Sequence, residues 1–130
     1  MGQKYLIDSN IIIYFMNNEL PQSSLPKIRM ILKESFVVST ISNVETLGWY
    51  NITEQEQTKL AAFLSNATVI YIDKLIEKKA IDIRQNKKMK LGDSIIASTA
   101  LVNNLTIVTR NESDFYGLGL IIYNPFDTEK

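Results

Sequence analysis

The sequence predicts an α/β fold: a single domain over residues 1–130, with a central, mainly parallel sheet flanked by helices. Short β-rich segments alternate with stretches of helical spacing along the chain, and parallel strands need such crossover connections between them. With 130 residues and 45% hydrophobic content, the chain is long enough for one core and too short for two ordinary domains. The alternation therefore indicates the class of fold but not the order of the strands.

Five short segments have the composition of strands. Most of their residues are apolar, and many are β-branched or aromatic, as in the sequence TVIYI at 68–72. Segments of helical spacing separate them, which favours crossover connections over hairpins. In chain order, the predicted strands are 4–7, 36–39, 68–72, 105–109 and 120–123.

Six helices are predicted from apolar spacing and from residues that start or stop a helix. Pro21 and Pro26 mark a loop before the second helix. Thr53 and Glu56 form a capping box at the start of the fourth helix, and Asp73 caps the fifth. In chain order, the predicted helices are 9–18, 27–34, 42–50, 53–66, 73–86 and 93–103.

The composition limits the possible chemistry. The chain contains no Cys and no His, which excludes structural zinc sites, thiol nucleophiles, Ser/His triads and imidazole proton shuttles. Its 14 Lys and Arg residues balance 14 Asp and Glu residues, so the net charge gives no overall basic field. No run reaches the ~18 apolar residues of a spanning helix, and no signal peptide is recognisable. We therefore expect a cytoplasmic protein without membrane contact.

Four acidic residues follow strands or open helices: Asp8, Glu45, Asp93 and Asp114. Because ligands bind outside the carboxyl ends of the strands in an open α/β sheet, we expect these four carboxylates to converge. Hard oxygen ligands of this kind suit Mg²⁺ or Mn²⁺. The pattern therefore predicts a site for a divalent metal, and a metal-dependent nuclease is the function that we test against it.

Each acid also has a structural explanation when it is taken alone. Asp8 and Asp93 stand where a helix N-cap is expected, and Asp there accepts hydrogen bonds from free amides. Glu45 fits the last position of a capping box that begins at Ser42, and Asp114 is a common residue type in polar turns. None of these explanations accounts for the recurrence of acids after separate β-rich segments, so the four together favour a site.

Three stretches of the chain resemble the PIN-domain ribonucleases, and among them the VapC-type toxins of toxin–antitoxin pairs. They are LIDSNIIIY, ISNVETLGWY and LGDSIIASTALVNNLTIVTRNESDF. The resemblance implies that Asp8 and Asp93 are the principal metal ligands, while Glu45 and Asp114 hold metal-bound waters or a second ion. It also implies a PIN-like fold, an RNA substrate, products with a 5′-phosphate and a 3′-hydroxyl, a protein antitoxin and a homodimer.

Polar residues beside the acids are candidates for orienting the metal ligands. Ser9, where the family commonly has Thr, and Asn10 follow the first acid, and Thr109 ends a predicted strand. Thr109 has the alternative of a strand residue with backbone partners only. Position 111 is Asn, so the resemblance carries the fourth acid to Asp114, with Asn111 as a polar neighbour.

Half of the basic residues lie between positions 74 and 90, directly before Asp93. Such a cluster is suited to phosphate contacts, although a solvated helix face with pairs one turn apart is the alternative. The candidates for RNA contact are Arg84, Lys87, Lys88, Lys90 and Arg110.

Two apolar features are not explained by the acids. Trp49 offers a surface on which a base can stack, but a lone Trp in a small domain is more often part of the packing. The run IIIYF after Asn10 is too apolar for a solvated helix face. It packs under the sheet, forms a groove for a partner helix or makes a dimer surface.

Two other functions stay open from the sequence alone. A phosphoacceptor signalling domain also places acids at strand ends, but it has adjacent acids after its first strand and a Lys after its last. Here Ile7 and Ser9 flank Asp8, and Arg110 follows Thr109. A catalytically silent PIN-like binding module would keep the fold without the chemistry, although the retention of all four acids argues against it.

Overall fold

The computed structural model of the chain describes residues 4–127. Along this range, five short strands and six α-helices follow one another, with 3-10 helices at Gln22–Ser24 and Glu112–Phe115. The strands are β1 (Tyr5–Ile7), β2 (Val37–Ser39), β3 (Thr68–Ile70), β4 (Thr106–Val108) and β5 (Ile122–Tyr123). The α-helices are α1 (Ser9–Met16), α2 (Leu25–Glu34), α3 (Thr40–Leu47), α4 (Glu54–Leu64), α5 (Lys74–Asn86) and α6 (Leu91–Asn103).

The strands form parallel pairs throughout the described part of the chain. Strand β1 pairs with β4, β4 pairs with β5, and β2 pairs with β3. The two groups lie side by side at β1 and β2, where the Ser35 hydroxyl accepts hydrogen bonds from the backbone N–H groups of Lys4 at 2.9 Å and Tyr5 at 3.1 Å. The resulting order is β3, β2, β1, β4, β5, so the chain changes direction across the sheet between β1 and β4. Ligands of open α/β sheets bind at such a switch point.

The core lies on both faces of these strands, because successive residues of a strand point to opposite sides. Ile7 and Val38 belong to one hydrophobic cluster with residues of α1, α2 and α4. Their neighbours Leu6 and Val37 belong to a second cluster with residues of α5 and α6. Burial on both faces explains why β1, β2 and β4 lie in continuous apolar runs rather than alternating ones.

The predicted caps at the starts of α4 and α5 are confirmed. The capping box of α4 is present, since Glu56 N–H donates to the Thr53 hydroxyl at 3.1 Å and Thr53 N–H donates to the Glu56 carboxylate at 3.0 Å. Asp73 caps α5 by accepting from Ile76 N–H at 2.9 Å. All five strands are shorter than the apolar segments that predicted them. No helix in the range 4–127 is long and apolar enough to cross a bilayer.

Three helices start two residues earlier than predicted. Helix α2 begins at Leu25, so Pro26 lies in its first turn rather than in the preceding loop; proline is tolerated there because its missing N–H has no partner in the first turn. Helix α3 begins at Thr40 with Ser39 as its cap, which makes the predicted capping box from Ser42 to Glu45 wrong. Helix α6 begins at Leu91, two residues before Asp93, so Asp93 is not an N-cap.

Candidate active site

The four predicted acids come from four separate elements. Asp8 directly follows β1, Glu45 lies on α3, Asp93 lies in the first turn of α6, and Asp114 lies in the 3-10 helix after β4. The charges of Asp93 and Glu45 act on Asp8, and those of Asp114 and Glu45 act on Asp93. The fold therefore groups these residues into an acidic cluster beside the switch point between β1 and β4, in which the charge of Asp114 acts on Asp93 and not on Asp8.

Asp8 is the buried member of this cluster, with 5% of its surface exposed. One carboxylate oxygen accepts the backbone N–H of Ser9 at 2.8 Å. The other accepts the Thr109 hydroxyl at 2.8 Å and the Asn10 side-chain amide at 3.1 Å. Asp8 is also the N-cap residue of α1. The same side chain therefore caps a helix and belongs to the acidic cluster.

The surroundings oppose ionisation of the Asp8 and Asp93 carboxyl groups. Burial raises the pKa of Asp8 from 3.8 to about 6; hydrogen bonds from Thr109 and Ser9 lower it, and the charges of Asp93 and Glu45 raise it. Burial also raises the pKa of Asp93, with a further rise from Asp114, while Lys90 opposes it. The protein therefore concentrates negative charge that a bound cation would stabilise.

A polar network fixes the residues around Asp8. The Ser9 hydroxyl donates to Glu45 Oε1 at 2.6 Å. Asn10 donates to the Thr109 hydroxyl oxygen at 3.3 Å and accepts the backbone N–H of Arg110 at 3.2 Å. That hydroxyl oxygen also accepts the backbone N–H of Asn111 at 3.1 Å. Ser9, Asn10 and Thr109 thus contact the acids through their side chains, whereas Asn111 joins the network through its backbone.

The donor set fits a divalent ion that keeps part of its water shell. Within residues 4–127, no group of three or more acidic side chains is arranged as a ready cage for a metal. Mg²⁺ demands no such cage, since one or two carboxylates, several waters and substrate phosphate oxygens complete its shell. The carboxylates of Asp8 and Asp93 are hard oxygen donors of the appropriate type.

The model of the PIN domain family matches residues 5–119. The chain belongs to the PIN domain family. It is similar to Ribonuclease VapC2 of Rickettsia felis, with 29% identity over 95% of this chain and 98% of that protein. The predicted family and the predicted PIN-like α/β fold are confirmed.

Solved structures agree with this assignment. The VapBC2 complex of Rickettsia felis bound to a promoter DNA fragment has a chain of 26% identity and TM-score 0.78, covering 94% of this PIN domain and 98% of that chain. A toxin–antitoxin complex of Klebsiella pneumoniae has a chain of 25% identity and TM-score 0.74, with the same coverages of 94% and 98%. A DNA-bound VapBC of Salmonella typhimurium shares the fold at 21% identity and TM-score 0.79, covering 95% and 99%.

Two of the five basic candidates already have partners within this PIN domain. The Lys87 ammonium donates to the backbone carbonyls of Asp114 at 3.5 Å and Tyr116 at 2.5 Å. The Arg110 guanidinium donates to the Tyr14 hydroxyl at 3.0 Å and lies 4.1 Å from the ring centre of Phe126. Lys87 therefore holds the segment that carries Asp114, a role that the sequence did not reveal.

The other three basic candidates, Arg84, Lys88 and Lys90, are exposed. Lys90 is close enough to Asp93 to oppose the rise in its pKa. These three side chains are therefore accessible to a phosphate group and remain candidates for RNA contact.

A groove of about 640 Å³ extends from the acids along α1, α3 and α4. The predicted site residues Ser9, Asn10 and Glu45 are part of its lining. Its other walls are largely apolar and include Ile13, Met16, Trp49, Ile52, Lys59 and Leu60.

The groove also explains the two apolar features of the sequence. In the run after Asn10, Ile11 and Ile12 are buried in the core, whereas Ile13 faces the groove. Trp49 is 52% exposed, so it is not a packing residue of the core.

Proposed function

We propose that this PIN domain is a metal-dependent endoribonuclease, and that it is the toxin of a type II toxin–antitoxin pair. The observation that carries the proposal is the buried Asp8 at the carboxyl end of β1, with Glu45 and Asp93 near enough for their charges to act on it. Asp114 adds its charge beside Asp93. The likeness to Ribonuclease VapC2 supports RNA as the substrate. We also propose that residues 1–130 form one domain, because the two hydrophobic clusters share a single set of strands.

The proposed metal is Mg²⁺ or Mn²⁺. Asp8 and Asp93 would be its principal ligands, with Glu45 and Asp114 holding metal-bound waters or a second ion. When bound, such an ion makes a coordinated water more acidic and offsets charge on the phosphate oxygens of RNA. The raised pKa values of Asp8 and Asp93 support this assignment, because both carboxyl groups gain from a nearby cation.

The other polar residues keep these carboxylates in place. Thr109 and Asn10 each donate a hydrogen bond to the same oxygen of Asp8. These two bonds restrict the orientation of the carboxylate. Ser9 contributes twice, through its N–H to Asp8 and through its hydroxyl to Glu45. Ligands held by neighbouring hydrogen bonds keep the geometry that the reaction needs.

The RNA backbone would lie along exposed cations near the acids. We assign this role to Lys88 and Lys90, which follow α5, and to Arg84 in the last turn of α5, because their side chains are exposed. Contacts of this type position the backbone without reading its sequence. Lys87 and Arg110 are held by partners within the protein and would contact RNA only if they gave up those bonds.

We propose that an antitoxin binds in the groove beside the acids. The solved relatives include a toxin–antitoxin complex and VapBC complexes. The apolar walls at Ile13, Trp49 and Ile52 suit the apolar face of a partner helix. A segment that fills the groove would also reach Ser9 and Glu45, and would block access to the site. Homodimer formation is proposed as well, from family resemblance, and light scattering after size exclusion tests it.

The test of the function is cleavage of labelled RNA by the purified protein. We expect cleavage with Mn²⁺ or Mg²⁺, none in EDTA, and none by the Asp93→Asn variant under any of these conditions. Binding of RNA without cleavage in all metals would instead identify a silent binding module. Labelling of the protein by a small phosphodonor would identify a phosphoacceptor domain.

A further inference from the structure

Glu45 lies unusually close to the backbone of another helix. Its side chain extends from α3 toward α1 and α6, and Oε1 accepts the Ser9 hydroxyl at 2.6 Å. On the other side is Gly92, the second residue of α6. A Cβ added to Gly92 would be 2.6 Å from Oε2 and 3.3 Å from the carboxyl carbon Cδ. Real Cβ atoms do not approach a neighbour to 2.6 Å, so any side chain at position 92 would displace this carboxylate.

The backbone of Gly92 gives no other reason for a glycine. The described glycines with positive φ are Gly117 and Gly119, not Gly92. Apart from proline, glycine is the residue least favourable to a helix. Gly92 therefore weakens the first turn of α6 without relieving backbone strain. The remaining reason for a glycine at this position is the space that its missing side chain leaves for Glu45.

The first turn of α6 also favours a carboxylate at this position. Helix α6 has no side-chain hydrogen bond at its N-cap, Lys90. The first turn of a helix carries free N–H groups and partial positive charge, which favour a carboxylate nearby. Asp93 is the next residue after Gly92, so a carboxylate beside Gly92 also lies beside the acidic cluster.

We propose that Gly92 is a positioning residue, whose missing side chain leaves the space in which the Glu45 carboxylate is held between the Ser9 hydroxyl and the first turn of α6. The inference rests on the proposed function for its effect on catalysis, but not for its effect on structure. Gly92 acts only through Glu45. An alanine at this position therefore turns Glu45 away from Ser9 and from the acidic cluster, and leaves the rest of the site in place.

The test compares Gly92→Ala in two backgrounds, the natural chain and Glu45→Ala. In the natural background, we expect kcat for RNA to fall by roughly 10²-fold, the effect of a misplacement of about 1 Å, with KM changed less than about 2-fold because ground-state binding is kept. In the Glu45→Ala background, Gly92→Ala should cause no further loss of kcat. Equal losses in both backgrounds, or full activity of Gly92→Ala, would overturn the proposal.

Thermal melting without metal or RNA gives a second readout that a general structural defect would not reproduce. In the Glu45→Ala background, we expect Gly92→Ala to raise Tm by about 3 °C, since alanine favours the helix and nothing obstructs its methyl group. In the natural background, the rise should be smaller, because the displaced carboxylate loses its bond to Ser9. Equal rises in both backgrounds would refute the steric argument. If the natural chain proves not to cleave RNA, the function fails, and this comparison still decides whether Gly92 holds Glu45.

Discussion

The burial of Asp8 predicts an unusual dependence of stability on pH, which Asp8→Asn isolates. The pKa of this carboxyl rises from 3.8 to about 6 on folding, so the ionised form is roughly 3 kcal/mol less favourable in the folded protein than in the unfolded chain. The folded state binds the proton more tightly than the unfolded state. The stability that this proton contributes is therefore present below pH 4 and is lost as pH rises from about 4 to 6.

Asparagine imitates the uncharged form of Asp8 at every pH. All three groups that contact the carboxylate are donors, from Ser9, Thr109 and Asn10, so the N–H₂ group of the substituted amide will fit them imperfectly and lower stability by a constant amount. The informative quantity is consequently the change with pH. The free energy of unfolding of Asp8→Asn minus that of the natural chain should rise by up to about 3 kcal/mol between pH 4 and pH 7.

The assay is urea unfolding at pH 4, 5, 6 and 7 in EDTA, with each variant measured beside the natural chain. Asp73→Asn is the matched control, because Asp73 also caps a helix but lies at the exposed start of α5. A difference between Asp8→Asn and the natural chain that stays flat across this range, or falls, would refute the argument that burial opposes ionisation of Asp8.

Three further predictions concern the metal and the basic residues. Millimolar Mg²⁺ or Mn²⁺ should raise Tm near neutral pH, by an amount equivalent to about 2.7 kcal/mol at 100 times Kd, and less in Asp8→Asn; an equal rise in both would place the ion elsewhere. Neutralising Lys88 and Lys90 together should raise KM with kcat nearly kept and should reduce the salt slope of RNA binding by roughly 0.7 per lost contact; an unchanged slope would exclude these contacts. Lys87→Met should instead lower kcat, because it releases the carbonyl of Asp114, and a pure KM effect would contradict that role.

The elements and the acids could be predicted because their signals are local. Apolar runs fix strands that are buried on both faces, and Thr53 with Glu56 forms a capping box within four residues. The position of Asp8 after the first strand also follows from the chain order alone. Local signals of this kind are sufficient to indicate which edge of the sheet carries the proposed site.

The contacts of Glu45 could not be predicted in the same way. Ser39 and Ser42 both precede it as possible caps, and the signature from Ser42 fits equally well, yet the helix starts after Ser39. Glu45 is then free to bond Ser9, which lies 36 positions earlier. Its approach to Gly92 likewise depends on the packing of α3 beside α6, which no pattern along the chain expresses.

The basic residues illustrate the same limit. Lys87 belongs to a run of cations that reads as a single surface in the sequence. The backbone carbonyls that accept its hydrogen bonds lie 27 and 29 positions later. Because the Lys87 ammonium is bound to them, it is not part of the exposed basic surface that the run predicts. Only the fold separates Lys87 from its exposed neighbour Lys88.

The most direct test of the central claim is the rate of RNA cleavage by Asp93→Asn in Mn²⁺. Asp93 is the third residue of α6 and is not its cap, so the variant should keep the Tm of the natural chain to within a few degrees. If the acidic cluster is a metal-dependent nuclease site, cleavage should be lost while the fold is retained. A folded Asp93→Asn variant that cleaves RNA at the natural rate would contradict the account.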